Sequence, residues 1–111
     1  MLLVEDHTLL AQLTVELLMK IGCSVLGPAA SLDQARAILA DSEPAAALVD
    51  LELPDGMGTS FIPELVAKGV ACSILSGYDK SDVIQSDDVP WIRKPVDEAG
   101  LMSFLEHVKT S

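Results

Sequence analysis

Glu5, Asp6, Asp50, Ser76 and Lys94 are the residues of this sequence best suited to chemistry, and each closes a short apolar run. Glu5 and Asp6 end "MLLVED", Asp50 ends "AAALVD", Ser76 ends "CSILS" and Lys94 ends "WIRK". An acid at the end of a buried strand is costly unless something at that edge requires it. Three carboxylates in one cleft also repel one another. At about 4 Å and an effective dielectric of about 20, each pair costs about 4 kcal/mol. A divalent cation removes that cost. Hard oxygen donors on short side chains suit Mg²⁺, which keeps coordination positions for phosphate oxygens. Asp50 is then a candidate nucleophile for a phosphoryl group, with the Lys94 ammonium and the Ser76 hydroxyl placed for its oxygens. The product would be an aspartyl phosphate.

The elements that must position these groups alternate along the chain. After the strand in "MLLVED", Leu9, Leu10, Leu13, Leu17, Leu18 and Ile21 recur at helical spacing, and Gly22 ends that helix. "CSVLGPAA" reads as a second strand. Ser31 and Gln34 form a capping-box pattern that opens a helix running to about Ala40. "AAALVDL" is the third strand, and a third helix over about Thr59–Lys68 ends at Gly69. "VACSIL" and "WIRK" supply the fourth and fifth strands, and Asp97 caps a last helix with Leu101, Phe104, Leu105 and Val108 on one face. Between Tyr78 and Val89 the chain is polar with little periodicity, so the fourth helix is expected to be short or irregular.

Strand–helix alternation of this kind gives right-handed crossovers and a parallel sheet covered on both faces. Ligands of such sheets bind beyond the carboxyl ends of the strands, where the strand order reverses. With the order 2-1-3-4-5, strands one and three flank that reversal. Glu5, Asp6 and Asp50 would then meet.

The composition agrees. The chain has 111 residues, enough for one domain over 1–111, and 50% are hydrophobic but only 4% aromatic. Its core must be Leu, Val, Ile and Ala, as in strands buried on both faces. Seven Lys and Arg against 17 Asp and Glu give a formal charge of −10, which disfavours nucleic acid and anionic membrane surfaces as partners. Cys23 and Cys72 lie in apolar stretches without a CxxC pattern, so reduced thiols in a cytoplasmic protein are expected. Neither a membrane-spanning apolar run nor a basic-then-apolar leader is seen.

"LVED", "LVDLELPDGMG", "ILSGYD" and "RKP", in that order, resemble the receiver domain of bacterial two-component response regulators. The resemblance covers essentially the whole chain. It implies a flavodoxin-like (βα)5 fold and a phosphorelay function, with Mg²⁺ as cofactor. By resemblance, Glu5 and Asp6 are the acidic metal pair, Asp50 is the phosphoacceptor, and Glu52 offers its backbone carbonyl to the metal. Ser76 is similar to the switch hydroxyl, Lys94 to the lysine that pairs with the phosphoryl group, and Trp91 to the switch aromatic. Pro95 is similar to a proline whose preceding bond is typically cis. The implied donor is a histidine kinase or histidine phosphotransfer protein. The implied output is altered affinity for a further protein at the face of the fourth helix, fifth strand and fifth helix. No enzymatic turnover is implied beyond the domain's own phosphorylation and dephosphorylation. "LSGYD" further resembles a receiver subgroup with Gly-Tyr after the switch hydroxyl, found in bacterial stress-response regulators. The span from Ser76 to Lys94 is shorter than is usual, and Trp91 is bulkier than the usual Tyr or Phe.

Other readings compete. Asp6 could cap the first helix, and Asp50 could simply open a Pro-Gly turn. His7 and His107 read as surface histidines, Met57 as loop packing, and Asp79, Asp82, Asp87 and Asp88 as a solvated face. A small phosphohydrolase of the haloacid dehalogenase type also uses a strand-end Asp, then an acid two residues on, then Ser or Thr, then Lys. Against it, Glu52 stands where that family has Asp, and Glu5 and Asp6 come first rather than late. A third reading is a phosphate-independent docking module.

Overall fold

The structure is a computed structural model and describes residues 1–77 and 89–110. The expected fourth helix and the acids Asp79, Asp82, Asp87 and Asp88 lie outside the described residues. The chain runs β1 (Leu2–Val4), α1 (Thr8–Lys20), β2 (Leu26–Ala29), α2 (Leu32–Ala40), β3 (Ala46–Asp50) and a small hairpin of β4 (Glu52–Leu53) and β5 (Gly56–Met57). A 3₁₀ turn (Gly58–Phe61) leads into α3 (Ile62–Ala67), followed by β6 (Ala71–Ser76), β7 (Trp91–Arg93) and α4 (Glu98–Thr110). Apart from the hairpin, the strands form one parallel sheet in the order β2-β1-β3-β6-β7. Counting only the sheet's own five strands, this is the expected 2-1-3-4-5 order.

Strand alternation divides the core into two layers. On one face, Leu2, Val4, Ala47, Val49, Cys72 and Ile74 pack against Leu32, Ala35 and Leu39 of α2, Phe61, and Leu65 of α3. On the other, Leu3, Ala46, Leu48, Leu75 and Ile92 pack against Leu18 of α1 and Leu101 and Phe104 of α4. Strands buried on both faces read as unbroken apolar runs, which is why "AAALV" carries no polar alternation.

The helix ends follow local chemistry. Ser31 Oγ accepts from the Gln34 N–H at 3.1 Å, but Gln34 Oε1 accepts from the Ala30 N–H at 2.9 Å, one residue before the ideal capping-box partner. Asp97 Oδ1 accepts from the Gly100 N–H at 2.7 Å and caps α4. β2 is shorter than its sequence implies, beginning at Leu26, and its pairing with β1 is irregular. The third helix opens as a 3₁₀ turn, so its α-helical part begins later than expected, at Ile62. Met57 is exposed rather than packed, because β5 lies outside the main sheet. Cys23 and Cys72 are free thiols. Among the described residues, no helix is long and apolar enough to cross a membrane.

Candidate functional site

The cleft that matters is built by strand parity. β1 and β3 are adjacent and in register, Leu3 beside Leu48 and Val4 beside Val49. Leu3, Leu48 and Ile92 all point into the α1/α4 layer. Two residues further along each strand direction come Glu5, Asp50 and Lys94, so a period of two sends all three toward the same side. Their side chains meet. Lys94 Nζ donates to Asp50 Oδ1 at 3.0 Å and to Glu5 Oε2 at 3.5 Å.

The surroundings make these contacts consequential. The Glu5 and Asp50 side chains are only 1% and 6% exposed, and Lys94 is 19% exposed. The other Glu5 oxygen accepts from the His7 N–H at 3.0 Å. Asp6, by contrast, is exposed at the mouth. Glu5, Asp6 and Asp50 can each offer one oxygen to a common point, those atoms lying within 4.8 Å of one another. Among the described residues, two buried carboxylates share one ammonium, so the site carries excess negative charge. Burial pushes the Asp50 carboxyl up to about 7, with the Glu5 charge adding to the rise and Lys94 opposing it. Lys94 is raised too: burial lowers it, but the hydrogen bond and charge of Asp50, together with Glu5, outweigh that. An all-oxygen donor set with excess negative charge fits a hard divalent cation.

Asp6 is free for that role because His7, not Asp6, caps α1. His7 Nδ1 accepts from the Leu10 N–H at 3.3 Å. The sequence marks His7 only as a surface histidine, and its position immediately before the first helical residue is the one signal of this capping role.

The remaining candidates fall around this centre. The cleft, about 670 Å³, is walled on one side by Leu51–Pro54, so Glu52 lines it while its side chain is exposed. The loop is held close: Gly58 N–H donates to the Leu51 carbonyl at 2.7 Å, and a Cβ on Gly58 would collide with the Asp50 carbonyl oxygen. Only glycine fits there. Ser76 is buried at the end of β6, and its carbonyl accepts from the Lys94 N–H at 2.8 Å. Its strand parity follows Ile74 rather than Leu75. Trp91, beside Ile74 in register, is half-buried against the α2/α3 layer and lines a separate cavity with Arg93 and Phe104. Three residues before Lys94, it has the opposite parity, so it is not part of the acid cleft's lining. The Lys94–Pro95 bond is cis.

Comparison with known proteins gives a consistent result. The family model described as response regulator receiver domain matches residues 1–106. No curated protein matches the chain by sequence. Among solved structures, a CheY-like receiver domain from Methylobacillus flagellatus is 27% identical with a TM-score of 0.86, covering 96% of this chain and 95% of its own. A CheY-like receiver domain protein from Methanospirillum hungatei JF-1 is 25% identical with a TM-score of 0.82, over 98% and 92% of the two chains. The BeF3-activated conformation of SdrG from Pseudomonas melonis Fr1 is 25% identical with a TM-score of 0.81, over 95% and 91%.

Proposed function

The chain belongs to the response regulator receiver domain family, and on that premise we propose that Asp50 accepts a phosphoryl group from a histidine of a partner kinase or phosphotransfer protein. The observation that carries this reading is the convergence of Glu5, Asp6 and Asp50 on one point, with Lys94 reaching both buried acids. An Asp50 oxygen forms a bond to phosphorus as the phosphorus–nitrogen bond of the donor phosphohistidine breaks, and the released imidazole takes up a proton from solvent. Glu5, Asp6, Asp50 and the Glu52 carbonyl would hold Mg²⁺. Bound there, the ion supplies positive charge for the phosphoryl oxygens and keeps Asp50 ionised at neutral pH. Lys94, already hydrogen-bonded to Asp50, offers its ammonium to a phosphoryl oxygen without moving far.

Phosphorylation then replaces one buried charge by a larger one, which is the kind of local event that biases a two-state element. Ser76 lies one strand away from Asp50 and receives the Lys94 backbone. Its movement toward the phosphoryl group would be felt along β7, where Trp91 and Arg93 lie. The affected surface comprises β7 and α4, and there an output protein would bind. The domain acts as a switch and catalyses only its own phosphorylation and dephosphorylation. A cytoplasmic setting, where free Cys23 and Cys72 are ordinary, goes with this reading.

The haloacid dehalogenase alternative is disfavoured by the family match and by the strand-one acids in the cleft. The phosphate-independent docking module is disfavoured by the completeness of the acid set. Intact-mass analysis after incubation with acetyl phosphate separates the three. A receiver gains one phosphoryl group, only with Mg²⁺, and loses it slowly. Steady release of inorganic phosphate would favour the hydrolase, and no adduct at all would favour the docking module.

A further inference from the structure

The hairpin that follows Asp50 forms one wall of the acid cleft, and its tip is fastened to α2, a helix with no residue in that cleft. Leu51–Pro54 line the cleft, and the chain turns back at Pro54–Asp55 to pair Glu52 with Met57 and Leu53 with Gly56. The Asp55 side chain then reaches across. Its Oδ1 accepts from the Leu32 N–H at 2.8 Å and its Oδ2 from the Asp33 N–H at 3.0 Å.

These donors are the first two unpaired N–H groups of α2, and Ser31 has already taken the third, on Gln34. The cap of α2 is therefore completed by a carboxylate 22 to 23 residues away. The seat is close as well: a Cβ on Gly56 would lie 3.0 Å from Leu32 Cδ1, and Leu32 is buried. The two donated hydrogen bonds, that from Leu32 foremost, hold the Asp55 carboxyl below the usual carboxylate range. At its base the hairpin is fixed by the Leu51 N–H to the Leu75 carbonyl, 2.9 Å, and by Gly58 against Asp50. Without Asp55, Leu53–Gly56 would be held by two short strands lying outside the main sheet and by the packing of Leu53 against the α2/α3 core layer.

We infer that Asp55 is a positioning residue: by bridging to the α2 N-terminus it holds the Glu52–Gly58 hairpin as a fixed wall of the cation cleft, and so sets the affinity for Mg²⁺. The inference rests on the proposed function, because it concerns the same cleft. Asp55 touches neither the acids nor Lys94. It acts through the backbone of Glu52 and Leu53, in the way that supporting hydrogen bonds orient ligands elsewhere.

The test is titration calorimetry of the metal-free protein with MgCl₂, alongside melting temperature. Asp55→Ala should weaken Mg²⁺ affinity by about tenfold. Asp55→Asn, which keeps one acceptor oxygen, should fall between that variant and wild type. Ser31→Ala removes a cap from the same helix end without releasing the hairpin, so it should lower the melting temperature and leave Mg²⁺ affinity unchanged. Wild-type affinity in Asp55→Ala, or equal weakening in Ser31→Ala, would overturn the inference. Should Asp55→Ala not fold, wild-type affinity in Asp55→Asn would overturn it instead. If wild-type protein itself binds no Mg²⁺, the proposed function fails and takes this inference with it.

Discussion

Lys94 Nζ and Asp50 Oδ1 are 3.0 Å apart although 44 residues separate them in sequence. The parallel register makes this possible, since β3, β6 and β7 are successive neighbours whose carboxyl ends align. The ammonium is thus held in place by both strand pairing and two buried carboxylates.

Replacing Lys94 by Ala should slow phosphorylation of Asp50 by acetyl phosphate by about a hundredfold, the scale found when one preorganised donor to a developing charge is removed. The variant should also remain in its resting conformation after phosphorylation. Rates followed by intact mass check the first point. A rate equal to wild type would remove Lys94 from the site.

The raised Asp50 carboxyl makes a second prediction, with a definite sign. Its ordinary value is 3.8 and its folded value about 7, so between these pH values the folded protein binds more protons than the unfolded one. The contribution of Asp50 to stability therefore declines as pH rises through that window in metal-free protein. In EDTA, Asp50→Asn should melt higher than wild type at about pH 8, by about 4 °C or more for each kcal/mol recovered, and the advantage should shrink near pH 5. Thermal melts at the two pH values check it. Adding Mg²⁺ should stabilise wild type more than the variant.

Trp91, the sole tryptophan, supplies an optical reporter. It lies on the strand that precedes Lys94 but lines a different cavity, so any signal must pass through β7 rather than from direct contact. Mg²⁺ with beryllofluoride should alter its fluorescence saturably in wild type. No change, or the same change in Asp50→Asn, would show that Trp91 does not follow the site.

Much of this was legible in the residues, for a physical reason. Buried parallel strands appear as apolar runs, and a polar residue that interrupts one at its carboxyl end marks the edge where ligands bind. Hence Glu5, Asp50 and Lys94 stand out in the sequence by their positions at strand ends. Strand parity was equally available, and it separates Trp91 from Lys94: residues three apart on a strand face opposite ways. Two features were not legible. The capping role of His7 competes with that of Asp6, which sequence preference favours. The Asp55 bridge depends on the tertiary approach of a hairpin tip to a helix end 22 to 23 residues earlier, and no local pattern encodes that distance.

The central claim is that the phosphoryl group resides on Asp50. Protein treated with acetyl phosphate and Mg²⁺ can be trapped by borohydride reduction, which converts an aspartyl phosphate to homoserine, and then mapped by peptide sequencing. The account predicts homoserine at position 50 alone, absent when Mg²⁺ is withheld. Homoserine at another acid, or none in protein shown to be folded, would contradict it.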